Sequence, residues 1–297
     1  MRAPDWIIYR LKLFIRDIIS SIWFIILGIK YFVTHNGEKG MRVLVYHSVR
    51  DIPKSLDPLR ITVPPRLFEK QVKYLLFSGY NIIPIDGILD YLSGRKQITG
   101  REIILTFDDG FEDSFEAAFN ILRKLGVTAT YFLTYNYIGA DRQFPCCGKE
   151  EAYGKPISME KAGELVSMGM SIGSHTLNHV NLGEKSDDPD MLYEEIAVSR
   201  NKLEDKFKTP VKYFAYPFGC KGSYNKATEN IVRESGYLAA FTNIFGSNKK
   251  GDNPFEIKRT RITWDDNLFN FRMKLAGAYD WIDNLATLRN RRGKVHA

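Results

Sequence analysis

From residue 41 onward, apolar runs of strand length alternate with stretches of helical periodicity. RVLVYH at 42–47 is β-branched and apolar up to its last residue, which predicts a buried strand. PPRLFEKQVKYLLFSGY at 64–80 opens on prolines and carries Leu67, Phe68, Val72, Leu75 and Leu76 on one helical face. Gly79 then closes that helix as a C-cap glycine does. NIIPI (81–85) reads as a short strand, DGILDYLSG (86–94) as a short helix and EIILTF (102–107) as an uninterrupted apolar strand. A helix over 113–125 ending at Gly126 follows, then the strand VTATYFL (127–133), a helix near 158–168 and the strand MSIGSH (170–175). The remainder reads as a long helix near 189–207, VKYFAYP (211–217), a helix near 224–235, GYLAAFT (236–242) and EIKRTRI (256–262). Apolar strands alternating with helices mean parallel strands covered on the outside. At 297 residues this suits a closed or nearly closed (β/α) barrel better than an open two-sided sheet. In either case chemistry belongs at the C-terminal ends of the strands.

Polar residues collect at those ends. His47 ends the first strand, Asp108 and Asp109 end EIILTF, His175 and His179 lie just past MSIG, and Pro217, Phe218 and Gly219 end the YFAY strand. Three of the chain's five histidines sit there, with only His35 and His296 elsewhere. Two histidines four apart plus a carboxylate from another strand form a common three-ligand set for a catalytic divalent metal. A cation also accounts for the adjacent aspartates: one binds it directly, and the other stays ionised as a general base. Taken singly, D-D-G is strand-to-turn punctuation, H-x-x-x-H is more often not a metal site, and His47 is a turn histidine. Their meeting on one rim argues for a metal hydrolase.

The first 40 residues differ in character. IISSIWFIILGIKYFV at 18–33 is apolar, broken by Lys30 and two serines, preceded by basic residues and followed by no small-residue cleavage site. A spanning helix needs about 20 apolar residues, so this reads as an uncleaved signal anchor, a helix lying in the membrane interface, or a helix packed on a partner. Trp6, Trp23 and Tyr31 are candidate interfacial anchors. A spanning helix with this charge bias puts the main domain outside the cytoplasm, although Lys39 and Arg42 weaken that orientation. The expected organisation is an anchor and linker over 1–40, a catalytic barrel over 41–265, and a C-terminal helix with a basic tail over 266–297.

Composition changes little. With 44% hydrophobic and 26% charged residues, wholesale disorder is excluded. The net charge of +7 is partly terminal, in RNRRGK at 289–294 and in Arg2, Arg10, Lys12 and Arg16. No interior basic run with interleaved aromatics appears, which speaks against a nucleic-acid partner. Cys146, Cys147 and Cys220 are too few for a disulfide framework, and the adjacent pair lacks C-x-x-C spacing.

TFDDG at 106–110 followed by SHTLNH at 174–179 resembles the first two motifs of the polysaccharide deacetylases of carbohydrate esterase family 4, the NodB homology domain, with similarity over roughly 41–262. The resemblance implies a distorted (β/α)7 barrel that removes acetyl groups, usually from N-acetylhexosamine units of a glycan. It matches Asp108 to the family's catalytic base, and Asp109, His175 and His179 to the ligands of one divalent ion, zinc in most members. A backbone N–H in the third motif commonly steadies the oxyanion. Here that region is YFAYPFG, with Tyr216 the nearest match beside Pro217 and Phe218. The third motif lacks the family's base-orienting arginine, and no histidine between His179 and His296 can fill the usual acid position. The histidine in YHSV is similar to the first-strand acid of the poly-β-1,6-N-acetylglucosamine deacetylase branch, whose barrel is circularly permuted, and this assigns His47 as general acid. Trp264, Asp265 and Asp266 are candidates to line the groove or to be plain surface, and 269–285 reads as an amphipathic capping helix. Rival expectations are O-deacetylation, action on a lipid-linked sugar, or a carbohydrate-binding barrel without catalysis.

Overall fold

A computed structural model describes residues 5–34, 40–57, 59–141 and 154–281, with backbone alone for 5–10, 24 and 27–34. His35, His296, the adjacent cysteines, the basic stretch at 289–294 and the end of the proposed capping helix lie outside the described residues. The strands are β1 (Arg42–Tyr46), β2 (Ser48–Val49), β3 (Thr62–Val63), β4 (Asn81–Ile82), β5 (Glu102–Phe107), β6 (Thr130–Leu133), β7 (Ser171–Ser174), β8 (Tyr213–Ala215), β9 (Ala239–Phe241) and β10 (Thr260–Arg261). The α-helices are α1 (Asp5–Thr34), α2 (Pro65–Phe77), α3 (Gly87–Leu92), α4 (Asn120–Leu125), α5 (Met159–Ser167), α6 (Pro189–Tyr193), α7 (Ser199–Phe207), α8 (Lys226–Glu234) and α9 (Leu268–Leu275). Two π-helical stretches, Ser114–Phe119 and Glu194–Val198, run directly into α4 and α7.

All strand pairs are parallel, in the order β10-β1-β5-β6-β7-β8-β9. A further parallel bridge joins Phe241, at the end of β9, to Ile257, just ahead of β10, so the sheet curls back on itself as a seven-strand barrel. β4 runs beside the start of β5. The period-two alternation of a strand divides the core in two. Leu44, Tyr46, Leu105, Phe107, Tyr131, Leu133, Phe214 and Tyr216 pack outward with Phe68, Phe115, Leu165, Ile196 and Val232 of the surrounding helical layer. Val43, Ile104, Phe132, Tyr213, Ala215, Phe241 and Ile257 fill the interior with Ile88 and Tyr91 of α3. Gly173 is required by this filling, because a Cβ there would stand 2.4 Å from the Phe132 ring. Continuing the inward register past each apolar residue reaches His47 just after β1, Thr106 in β5 and Asp108 just after it, His175 just after β7 and Arg259 ahead of β10. The core's own alternation therefore builds the polar mouth.

The N-terminal segment corrects an expectation. It forms one 30-residue helix, yet among the described residues no helix is long and apolar enough to cross a membrane, so the anchor and its extracytoplasmic orientation are not kept. Lys12, Arg16, Asp17, Ser20 and Ser21 interrupt its apolar run, and part of that polar set docks on the chain itself. The Tyr279 hydroxyl donates to Asp17 Oδ1 at 3.1 Å, the Trp281 indole N–H donates to Ser20 Oγ at 3.2 Å, and the Arg16 guanidinium lies 5.3 Å from the Tyr279 ring centre.

Candidate active site

Asp108 and Asp109 follow β5 in a three-residue turn in which the Gly110 N–H donates to the Asp108 carbonyl at 2.9 Å. Asp109 at its centre holds φ +72° and Gly110 holds +87°. A Cβ on Gly110 would also stand 3.0 Å from Leu133 Cδ2, so glycine is needed there for conformation and for space. A second turn of the same kind follows β8: the Gly219 N–H donates to the Pro217 carbonyl at 2.7 Å around Phe218, φ +64°. Thr176 and His179 are left-handed too, at +67° and +56°. Four of the six described non-glycine residues with positive φ thus surround one cleft, where strain of this kind concentrates when geometry serves function.

The adjacent aspartates have different partners. Asp108 lies in the fork of Arg259, with Nη1–Oδ1 2.7 Å and Nη2–Oδ2 2.6 Å, and both side chains are fully buried. The remaining Arg259 donors reach the Thr242 carbonyl, Asn243 Oδ1 and Thr106 Oγ1. Burial alone would raise the Asp108 carboxyl; the charges of Arg259 and His175 more than offset this and hold it below the usual carboxylate range. Asp109 Oδ1 instead faces His175 Nε2 at 3.3 Å and His179 Nε2 at 3.1 Å. Burial again opposes ionisation, and the His179 charge with hydrogen bonds from both histidines holds Asp109 well below its ordinary value. His175 Nδ1 lies 2.7 Å from the Ala215 carbonyl, which can only accept, so Nδ1 carries the hydrogen and Nε2 turns its remaining site to Asp109. Burial lowers the His175 pKa, but Asp109 and Asp108 reverse this to a net rise. A lone pair facing a carboxylate needs a proton or a cation between them. Asp109, His175 and His179 are all buried, with one ligand atom each within 4.8 Å of the others, and this oxygen and nitrogen set fits a divalent transition ion.

His47 is buried, with Nδ1 unpartnered among the described residues, and lies within electrostatic reach of both aspartates, Arg259 and His175. Burial pulls its pKa below the ordinary value despite the aspartates. Tyr216 departs from expectation. Its N–H donates to the Phe241 carbonyl at 3.0 Å within the barrel ladder, and its ring points outward, stacked on Tyr224. Pro217 has no N–H. The Phe218 N–H is the one amide of the three with no acceptor among the described residues, and the Phe218 ring lies 5.1 Å from His179. Trp264 stands beneath Lys54, whose ammonium is 3.9 Å from its ring centre. Asp266 is buried in a pair with Lys274 rather than lining a groove. Arg259 escaped the sequence reading, although its position two residues after the core-facing Ile257 in EIKRTRI was the available signal.

The family model for polysaccharide deacetylase matches residues 95–240. The chain carries a polysaccharide deacetylase domain over these residues. Its relatives include the Bacillus subtilis (strain 168) protein YxkH, provisionally named for the same family and 27% identical over 221 residues, which cover 74% of this chain and 71% of that protein. The poly-β-1,6-N-acetyl-D-glucosamine N-deacetylase of Staphylococcus aureus (strain MRSA252) is 24% identical over 247 residues, covering 77% and 80%. The solved structure of IcaB from Ammonifex degensii superposes with a TM-score of 0.68 at 26% identity, covering 82% of this chain and 98% of that one. The family match spans β5 to β9, so His47 and Arg259 come from either side of it.

Proposed function

We propose that this chain is a metal-dependent N-deacetylase of a glycan containing N-acetylhexosamine. The observation that carries the reading is the Asp108–Arg259 pair beside the Asp109–His175–His179 cluster at one barrel mouth. A divalent ion held by Asp109, His175 and His179, zinc being the ion we favour, would supply Lewis acidity toward the acetyl carbonyl and toward water. Asp108, kept ionised by the Arg259 fork, takes the proton from the attacking water. The Phe218 N–H donates to the developing oxyanion, the role first expected of Tyr216. His47 gives a proton to the departing amine. The relative that removes acetyl groups from poly-β-1,6-N-acetyl-D-glucosamine supports that polymer as the first substrate to try. Arg259 also removes the reason for a non-catalytic barrel, because the arginine missing from the third motif is supplied by the end of the ring.

The test is acetate release by the full chain from β-1,6- and β-1,4-linked N-acetylglucosamine oligomers, with chelator, with zinc restored, and with Asp108→Asn. Zinc-dependent release abolished in the variant is expected. A zinc-loaded protein that releases acetate from no N-acetylated glycan would overturn the reading.

A further inference from the structure

His175 and His179 sit on a loop rather than on a regular element, so their imidazoles are only as well placed as the loop between them. That loop is held from two sides. On one, the Tyr135 and Asn136 amides donate to the Thr176 and Leu177 carbonyls at 3.2 and 3.0 Å, and Asn136 Nδ2 donates to Asn178 Oδ1 at 2.9 Å. On the other, Glu195 accepts four of the described bonds. Glu195 Oε2 accepts the Leu177 and Asn178 amides at 3.1 and 2.9 Å, Oε1 accepts Asn178 Nδ2 at 2.7 Å, and the Glu195 carbonyl accepts the Leu177 amide at 3.2 Å.

Glu195 lies in the π-helical stretch Glu194–Val198, where i→i+5 bonding displaces the regular carbonyl pattern of the helix. That displacement makes its main-chain oxygen available to the loop. The residue is 5% exposed, and burying a carboxylate is costly without such bonds. Its three accepted side-chain bonds are all spent on the two residues Leu177 and Asn178. Thr176 and His179, on either side of them, have left-handed backbones that the chain would not hold unaided.

We infer that Glu195 is a positioning residue for the metal site: it locks the His175–His179 loop so that both imidazoles meet Asp109 Oδ1, and it thereby sets metal affinity. This rests on the metal reading above. Outer partners that fix ligands typically contribute 10- to 100-fold in affinity.

The test is calorimetric titration of Zn²⁺ into the metal-free full chain, wild type, Glu195→Ala and Glu195→Gln, with thermal unfolding of each metal-free protein alongside. Expected is a Kd raised about 10- to 100-fold in Glu195→Ala. Glu195→Gln should fall between the two, since its carbonyl oxygen can still accept the two amides while its NH₂ opposes Asn178 Nδ2. If Glu195→Ala does not fold, Glu195→Gln decides alone. Wild-type zinc affinity in the folded variant overturns the inference. Absence of zinc binding by the wild type would instead overturn the metal reading, which separates the two failures.

Discussion

The site has two halves built on neighbouring residues, and they are finished in different ways. Asp108 is matched by a permanent, fixed cation of the chain itself, Arg259, and its half is electrostatically complete as it stands. Asp109 is matched by two imidazoles whose charge depends on protons, and its half is satisfied only by a proton or an added cation. Under the proposed function, the difference separates a group that stays ionised as a base from a group that accepts a removable ion.

The comparison predicts opposite phenotypes for near-identical changes. Asp108→Asn should keep zinc affinity and lose roughly 10²- to 10⁴-fold in kcat, the usual contribution of a general base. Asp109→Asn should lose zinc affinity by more than the roughly 100-fold that an outer-shell partner contributes, and lose activity with it. Calorimetry and acetate release on both variants check this, and equal zinc loss in both would erase the distinction between the halves.

Removing the fixed cation should be costly in another currency, stability. Arg259→Leu leaves a buried carboxylate unpaired, a loss of about 3–5 kcal/mol, measured by denaturant unfolding of the metal-free protein. The pH dependence has a definite sign. In the wild type the Asp108 pKa is depressed below 3.8, so its stabilisation is complete above that value and is lost as pH falls through the depressed one. In the variant burial acts without the guanidinium and the folded pKa rises above the unfolded one, so stability falls as pH rises through the carboxylate range. The gap between the two proteins should therefore widen from pH 3.5 to pH 6, and a constant gap would mean that Arg259 acts by packing alone.

His47→Ala tests the acid end. Amide turnover should fall about 10²- to 10⁴-fold, while hydrolysis of an aryl acetate, whose leaving group departs without a proton, should fall far less. Equal losses on both substrates would remove His47 from the acid role. The smallest effect is expected at Tyr216→Phe, which loses only the hydroxyl bond to the Phe255 carbonyl. About 1 kcal/mol of stability should go with it, and kcat should not change.

The strands, their parallel order and the rim positions of Asp108, Asp109, His175 and His179 were legible because two-residue alternation and apolar continuity are local properties. The Asp108 partner was not, because nothing near the D-D-G pair encodes a residue 151 positions away. The Tyr216 amide was misjudged for a related reason. Whether an N–H is free depends on how far the β8–β9 ladder continues, and here it runs one bond past the last strand residue. The apolar N-terminal run has no internal sign that Asp17 and Ser20 meet Tyr279 and Trp281. Nor does the long helix over 189–207 advertise the π-turn that frees the Glu195 carbonyl.

The closure of the ring has a consequence for how the molecule comes into being. β1 and β10 are neighbours through Leu44 and Thr260, more than two hundred residues apart in the chain, and contacts of such separation form late and slowly. On a ribosome adding about 5–20 residues per second, the first-strand histidine waits on the order of ten to forty seconds for the arginine that completes the cleft. The stretch carrying Asp109, His175 and His179 is finished well before that. Under the proposed function, a nascent chain has its ion-binding residues while still lacking the arginine that pairs with Asp108, so competence arrives with the final turn of the barrel and any truncation ahead of residue 259 leaves it unreached.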